Sequence, residues 1–255
     1  MSLLSLNNVT IRFGGLTAVG NLTETFEQGS LSGIIGPNGA GKTTVFNLIT
    51  GVYDPTEGGI SFNGRDIVPL KPYQIANVGI ARTFQNIRLF GGMTVSDNIR
   101  VAFNNNAKAG LFASVMQFGA YQREEAEYHK QIDHLLDMFG MLDTRNEMAK
   151  NLNYGDQRRL EIIRALASKP KLLLLDEPAA GMNPTEKQEL MKLIRYIRDT
   201  FNIAIILIEH DMKVVMGICE KITVLDYGQK IAVGTPEEVK SNPKVIEAYL
   251  GEAAH

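Results

Sequence analysis

The sequence is poor in cysteine and has no long apolar run. Cys219 is the only cysteine among the 255 residues, which excludes a disulfide framework within the chain and is typical of proteins from a reducing cytoplasm. The longest apolar runs, LLLL (172–175) and IAIILI (203–208), are far shorter than the roughly 20 residues that cross a bilayer as a helix. The N-terminal MSLLSLNNVT has neither a basic start nor a long apolar segment, so we expect no secretion signal.

An excess of charge of either sign is also missing. The chain has 26 Lys and Arg against 28 Asp and Glu, so it lacks the general positive field that marks nucleic-acid-binding proteins, and we expect no nucleic-acid partner. Arg158, Arg159 and Arg164 fall in one predicted helix, where they indicate a solvated or an interface face. The length allows one large α/β domain, or a core domain with a smaller insert.

A glycine-rich loop lies between a strand and a helix in residues 31–51, LSGIIGPNGAGKTTVFNLITG. The apolar strand ends at Ile35, and helical spacing begins after Thr43. Between them stands the P-loop (Walker A) pattern G-x4-G-K-T, in which glycines let backbone N–H groups surround phosphate oxygens. The predicted nucleotide-binding residues are Gly36, Pro37, Asn38, Gly39, Ala40, Gly41, Lys42, Thr43 and Thr44. We expect Lys42 to reach the β- and γ-phosphates of ATP and the Thr43 hydroxyl to bind Mg²⁺. A chance glycine turn is the alternative, and the order of strand, loop and helix disfavours it.

The second half of such a site is predicted in residues 171–178, KLLLLDEP. Four leucines favour a buried parallel strand, and Asp176 and Glu177 stand at its carboxyl end, the edge where open α/β sheets bind ligands. We expect Asp176 to bind Mg²⁺ and Glu177 to act as the general base for the attacking water. Taken alone, the pair could equally be two solvated carboxylates at a strand end.

A histidine follows the next buried strand. His210 comes directly after IAIILI (203–208) and Glu209, at the same predicted edge, where its imidazole could stabilise charge on a γ-phosphate. The alternative is an exposed or structural histidine. His129, His134 and His255 have no such setting, and we expect them to be surface residues.

With these motifs in this order, the chain resembles the ATP-binding-cassette (ABC) ATPases. LNYGDQRRLEIIRAL (152–166) stands where that family has its signature loop, LSGGQ, which faces the γ-phosphate of ATP on the P-loop of a second subunit. Here Asn153, Tyr154 and Asp156 replace serine, the first glycine and glutamine, and Gly155 keeps the second glycine. The resemblance implies that Asn153, Tyr154, Gly155, Asp156 and Gln157 contact the partner's nucleotide. Asn153 is also predicted to cap the helix N-terminus, which holds whether or not the loop binds ATP.

Three further positions carry family roles by resemblance. Phe13 matches the aromatic residue that stacks on adenine, although it could also be a core aromatic. Gln85 in RTFQN matches the glutamine that reaches Mg²⁺ and the attacking water and links the core to a helical insert. Asn183 stands where the family often has aspartate, and it is predicted to cap a helix that starts at Pro184.

The predicted fold class is α/β: a P-loop core with an antiparallel β subdomain and an inserted α-helical subdomain. We assign residues 1–85 and 151–255 to the core with its β subdomain, and residues 86–150 to the helical insert. An i, i+3, i+4, i+7 stripe beginning at Ile132 predicts a helix there that ends by Gly140. Residues 104–130 are longer than a minimal cassette requires. Their apolar part could contact a membrane partner, but a packed hairpin is expected for them.

The segments YGDQRRLEI, DEPAAGMNP, IEHDMKVVMGICEKI and NPKVIEAYLGEA resemble the first ATPase of branched-chain amino acid uptake systems. This implies an ATP-hydrolysing importer subunit, peripheral on the cytoplasmic face of the inner membrane, whose transported substrates are leucine, isoleucine and valine. The implied partners are two membrane-spanning permease subunits, a sister ATP-binding subunit or a second copy, and indirectly a periplasmic or extracellular amino-acid-binding protein.

Other functions stay open at this point. Relatives that serve urea or amide uptake, or lipopolysaccharide export, are similar enough in sequence to be alternatives. A soluble ABC clamp on nucleic acid or ribosomes is disfavoured, because the chain lacks a long coiled-coil insert, a tandem cassette and a basic charge. A small-molecule kinase would leave the signature loop unexplained.

Overall fold

The computed structural model describes residues 2–103 and 120–252, and the side chains of residues 2–103 and 125–249. These residues form two compact units, one made of Met1–Gln85 with Lys171–His255 and the other of Asn86–Pro170. Most of the predicted 104–130 insert lies outside the described residues. Its last residues, 120–130, form the first part of a helix that ends at Met138. The predicted α/β class is confirmed.

The first unit contains two sheets. A four-stranded antiparallel sheet has the order β2-β1-β4-β5, and a six-stranded sheet has the order β10-β9-β3-β8-β7-β6. In the second sheet all neighbouring strands run parallel except β9 and β10, which form an antiparallel hairpin. The strands are β1 (Ser2–Phe13), β2 (Leu16–Glu27), β3 (Leu31–Ile35), β4 (Glu57–Phe62), β5 (Arg65–Asp66), β6 (Ile80–Arg82), β7 (Leu172–Asp176), β8 (Ala204–Ile208), β9 (Lys221–Asp226) and β10 (Gln229–Gly234).

Sequence pattern explains the central strands. Every residue of β3, β7 and β8 is buried, as expected of strands that are covered on both faces of a parallel sheet. The core includes apolar side chains from both sheets and from the helix after the P-loop, with Phe26 and Phe46 among its largest fully buried members.

Several helices begin at residues whose side chains cap the helix N-terminus. Asn183 accepts hydrogen bonds from the N–H groups of Thr185 and Glu186, which confirms the predicted cap. Thr235 accepts one from the N–H of Glu238. The helices are α1 (Lys42–Ile49), α2 (Pro72–Val78), α3 (Val95–Phe103), α4 (Ala120–Met138), α5 (Tyr154–Ala167), α6 (Pro184–Phe201), α7 (Met212–Ile218), α8 (Pro236–Lys240) and α9 (Pro243–Glu252).

The second unit is helical. Helix α4 packs against α3 and α5, and α3 packs against α5. The predicted apolar stripe of α4, beginning at Ile132, is buried along its length, and the chain leaves the helix at Met138. Because α5 belongs to this packing, the unit extends to Pro170, whereas the sequence-based division assigned residues 151–170 to the core.

Among residues 2–103 and 120–252, no helix combines the length and the apolar character that crossing a membrane requires.

Candidate functional site

The carboxyl ends of four parallel strands place the P-loop and the predicted catalytic and magnesium-binding residues at one edge of the six-stranded sheet. The P-loop follows β3, Thr83 and Gln85 follow β6, Asp176 ends β7, and His210 lies just beyond β8. This is the edge where α/β sheets bind ligands.

The P-loop requires glycine for steric reasons at two positions. A Cβ on Gly36, whose φ is +152°, would lie 2.0 Å from the carbonyl oxygen of Leu225 on β9. At Gly41, with φ +99°, a Cβ would lie 2.7 Å from the carbonyl oxygen of Ala18 on β2. The loop can therefore pack between β2 and β9 only because both side chains are absent.

A cleft of about 380 Å³ opens in front of this loop. Gly39 has φ +77°, and a Cβ placed there would meet no heavy atom within 4 Å. The Lys42 Nζ donates hydrogen bonds to the carbonyl oxygens of Gly36 at 2.6 Å and Pro37 at 2.9 Å, so the amino group lies over the loop. The cleft is lined by Leu16, Thr17, Ala18, Asn38, Gly39, Ala40, Gly41, Lys42, Thr43, Thr44, Glu177 and Tyr227.

The predicted general base lies where two other predicted catalytic side chains meet. The Gln85 Nε2 donates to Glu177 Oε2 at 2.8 Å, and His210 Nδ1 is 3.7 Å from the same oxygen. Glu177 has φ +48°, a left-handed conformation that is uncommon for a residue with a side chain and recurs at functional sites. Its N–H donates to the carbonyl of Ile208 on β8 at 2.9 Å, which fixes this turn against the neighbouring strand.

Asp176 is buried and held by side chains that the sequence did not single out. The Arg82 Nη2 donates to Asp176 Oδ2 at 2.8 Å, and its Nη1 donates to Asn47 Oδ1 on α1 at 2.7 Å. The Asp176 N–H donates to Thr83 Oγ1 at 3.4 Å. Arg82 therefore joins the P-loop helix to the end of β7.

Glu209 is a second residue that sequence reasoning passed over, although an acidic residue directly after a fully apolar strand was the available signal. Its side chain is buried, and its carboxylate accepts the N–H of Ala179 at 2.7 Å, of His210 at 3.1 Å and of Asp211 at 3.2 Å. Burial raises the pKa of Glu209 above its usual range, against these hydrogen bonds. One carboxylate thus connects the turns that carry Glu177 and His210.

The turn after His210 is anchored from the other side as well. The Lys187 Nζ on α6 donates to Asp211 Oδ2 at 2.6 Å, and this bond lowers the pKa of Asp211. Asp211 also caps α7, since it accepts the N–H groups of Lys213 and Val214. These contacts support His210, whose own side chain remains largely exposed.

Phe13 lies at the end of β1, opposite Leu16 in the first hairpin. Its side chain is 45% exposed, and its ring contacts Tyr53 edge to face with centroids 5.1 Å apart. A core position for Phe13 is thus excluded, and stacking on adenine stays a prediction. Leu16, Thr17 and Ala18 from the same hairpin line the cleft.

In the second unit, Asn153 caps α5 as predicted. Its Oδ1 accepts the N–H of Asp156 at 2.9 Å, its Nδ2 donates to Asp156 Oδ2 at 2.7 Å, and Gln157 Nε2 donates to the Leu152 carbonyl at 2.9 Å. Gly155 lies in the first helical turn, and Tyr154 is 44% exposed. The contact of these five residues with a nucleotide stays a prediction.

The residues present fit a magnesium nucleotide. The glycine loop leaves open space where phosphates would lie, at the N-terminus of α1. Thr43, Asp176 and Gln85 offer hydroxyl, carboxylate and amide oxygens, the donors that Mg²⁺ prefers. In the described part of the chain, no group of three or more His, Cys, Asp or Glu could hold a metal ion. Nucleotide phosphates and water would supply the remaining ligands of a Mg²⁺ ion bound by these residues.

Comparisons with known proteins agree with this geometry. The family model described as "ABC transporter" matches residues 19–180, and the model described as "Branched-chain amino acid ATP-binding cassette transporter" matches residues 229–255. The chain is 49% identical to the high-affinity branched-chain amino acid transport ATP-binding protein LivG of Salmonella typhimurium, over 98% of both chains. It is 45% identical to the corresponding protein BraF of Pseudomonas aeruginosa, again over 98% of both chains.

Solved structures give the same result. A nucleotide-free ATP-binding cassette from an ABC transporter superposes with a TM-score of 0.83 at 30% identity. Another cassette, in its ADP conformation, superposes with a TM-score of 0.85 at 30% identity, and in both cases the match covers 98% of this chain and 99% of the other. The chain therefore belongs to the ABC transporter family, as one of its nucleotide-binding ATPases.

Proposed function

We propose that this chain is the ATPase subunit of an importer for branched-chain amino acids, with leucine, isoleucine and valine as substrates. The hydrolytic role is supported most directly by the positions of Gln85 and His210. Both lie next to the same carboxylate oxygen of Glu177, beside the P-loop cleft. The substrate class is supported by relatives that are 45–49% identical along nearly their whole length. An ATPase does not itself contact the transported molecule, so the proposed substrates depend on the similarity to these relatives alone.

Each side chain has an assigned task. Bound MgATP supplies a polarised γ-phosphoryl group. The P-loop amides and Lys42 bind its phosphates, and Thr43 and Asp176 hold Mg²⁺ together with Gln85. Glu177 accepts the proton of the attacking water, because its carboxylate lines the cleft in front of the P-loop. His210 donates a hydrogen bond to the γ-phosphate and stabilises the charge that develops there.

Pairing completes the site. In our proposal two ATPase chains sandwich two ATP molecules head to tail, and residues Asn153 to Gln157 of one chain face the ATP on the P-loop of the other. The N-terminus of α5 suits a phosphate, because its partial positive charge favours an anion. The second chain is either another copy or a sister ATPase.

The pair would act at the cytoplasmic face of the inner membrane. It docks beneath two permease subunits, which receive amino acids from a periplasmic or extracellular binding protein. The ATPase is held there by these partners, a proposal consistent with the absence of a membrane-crossing helix among residues 2–103 and 120–252.

Uptake of radiolabelled leucine, isoleucine and valine by a deletion strain tests the function. We expect deletion to reduce uptake, the wild-type gene to restore it, and Glu177→Gln to leave it reduced by about a hundredfold or more, since the general base is lost. Glu27→Gln is the matched control, because Glu27 ends β2 just before the amino end of β3, away from the edge that carries the site. Undiminished uptake of all three amino acids after deletion contradicts the proposed substrates.

A further inference from the structure

Three residues of α5, the first of which lies in the signature loop, form one connected group. Tyr154, Arg158 and Glu161 are spaced by four and then three residues, so they lie on one face of the helix. Tyr154 begins the helix, and the other two follow within two turns.

Arg158 lies at the centre of this group and is buried, with 3% of its side chain exposed. Its Nε and Nη2 donate to the Tyr154 hydroxyl oxygen at 3.2 and 3.0 Å, and its Nη1 donates to Glu161 Oε2 at 3.2 Å. The guanidinium carbon is also 5.4 Å from the centroid of the Tyr154 ring. A buried guanidinium is tolerated only when acceptors surround it, and the tyrosine hydroxyl supplies one of them.

The group continues beyond α5. The second oxygen of Glu161, Oε1, accepts the N–H of Arg88 at 3.4 Å. Phe90, two residues after Arg88, is bound by the buried Asn98 of α3: the Asn98 side chain accepts the N–H of Phe90 at 2.9 Å and donates to its carbonyl at 3.0 Å. The Arg164 guanidinium lies 5.7 Å from the Phe90 ring. The segment 88–90 is therefore tied to the same helix that carries the signature loop.

We infer that Tyr154, Arg158 and Glu161, here called the arginine brace, hold the signature loop 153–157 and the segment 88–90 as one rigid body. The family's signature loop has a glycine at position 154, where the backbone is conformationally free. Here the tyrosine hydroxyl is instead hydrogen-bonded to the buried Arg158 guanidinium, which restricts the backbone. Its members are positioning residues: they set the backbone N–H groups at the start of α5 for the partner's ATP. This inference rests on the proposed head-to-tail pairing.

Tyr154→Phe tests the brace, because it removes only the hydroxyl from a half-exposed side chain. We expect the Glu177→Gln parent to pair in ATP and Mg²⁺, and the added Tyr154→Phe change to raise the pairing dissociation constant about tenfold, the effect of one lost charged hydrogen bond. Affinity of the unpaired chain for a fluorescent ATP analogue should stay unchanged, since the P-loop belongs to the other unit. Tyr73→Phe on α2, at a tyrosine that is 63% exposed, is the control and should change neither quantity.

Amide hydrogen exchange on the unpaired chain separates the brace from the pairing. Faster exchange at residues 154–157 in Tyr154→Phe, by about tenfold with α6 unchanged, supports the brace. Unchanged exchange and unchanged pairing overturn it. A Glu177→Gln parent that never pairs counts against the proposed pairing of two copies, and the exchange result then decides the brace alone.

Discussion

Glu209 shows how one buried side chain can organise a site without lying in the cleft. It accepts three backbone N–H groups, from Ala179 two residues after the predicted base and from His210 and Asp211 in the next turn. Backbone N–H groups that lose a buried acceptor cost about 1–3 kcal/mol. The positions of Glu177 and His210 therefore depend on the buried side chain of Glu209 behind them.

We predict that Glu209→Gln lowers the kcat of ATP hydrolysis about tenfold to a hundredfold, because its amide cannot accept all three N–H groups. Steady-state kinetics together with nucleotide binding measure this, and the affinity for ATP should change less than twofold, since the P-loop is untouched. Glu189→Gln, at an exposed residue of α6, serves as the control. An unaltered kcat would show that Glu209 has no positioning role.

At the scale of elements, Glu24 joins the two sheets of the first unit. From β2 its carboxylate accepts from Lys221 at 2.6 Å and Thr223 at 3.1 Å on β9, and from Lys230 at 3.2 Å on β10. Burial opposes ionisation of Glu24, but the Lys221 hydrogen bond, the Thr25 N–H and the charges of Lys221 and Lys230 outweigh it, so that the pKa is lowered. A lowered folded-state pKa stabilises the fold above the unfolded pKa, and this stabilisation is lost as the pH falls through the folded pKa.

We predict that Glu24→Gln lowers the free energy of unfolding by about 1–3 kcal/mol at pH 7. Urea denaturation at several pH values measures this, and the difference from wild type should shrink as the pH falls below the ordinary glutamate pKa of 4.5. Glu57→Gln is the control, because its ion pair with Arg12 is exposed and should contribute less than about 1 kcal/mol. A difference that does not depend on pH would mean that packing, rather than charge, accounts for the effect.

Elements whose cause is local could be predicted from the sequence. The leucines of β7, the caps at Asn153, Asn183 and Thr235, and the hairpin of β9 and β10 each depend on residues within a few positions. Contacts between distant segments could not be predicted. Arg82 with Asp176, and Glu209 with Ala179, are joined only by the order of the parallel strands. The boundary between the two units was predicted at residue 150 but lies at 170, because the packing of α5 on α3 cannot be read from neighbouring residues in the sequence.

The same distinction between features set by neighbouring residues and contacts between distant segments applies to the candidate site. Repeated glycines and a strand ending in Asp176-Glu177 carry the P-loop chemistry in short patterns, so its residues could be named in advance. The meeting of Gln85 and His210 at Glu177 depends on β6, β7 and β8 lying side by side, although the strand ends already indicated one edge. The arginine brace was not anticipated. Tyr154 was a departure from the family pattern with an implied nucleotide contact, and Arg158 was expected on a solvated or interface face, whereas it is buried.

At the scale of the whole molecule, nucleotide chemistry and the signature loop lie in different units. The first unit contains the P-loop, Asp176, Glu177 and His210, and the second contains residues 153–157. A chain that works in a head-to-tail pair needs both, one for its own ATP and the other for its partner's. Gly155 suits a close approach by a partner, since a Cβ there would meet, among the described residues, only Asn153 Oδ1, at 3.4 Å.

The head-to-tail pairing is tested most directly by the solution mass of Glu177→Gln, measured by light scattering with and without ATP and Mg²⁺. Because hydrolysis is blocked, we predict that the mass rises from 28.1 kDa to twice that value only when ATP and Mg²⁺ are present. Adding Gly155→Leu should abolish the doubling while ATP still binds the single chain. A mass that stays at 28.1 kDa in ATP would contradict pairing of two copies, and a doubling that survives Gly155→Leu would contradict the role of the signature loop.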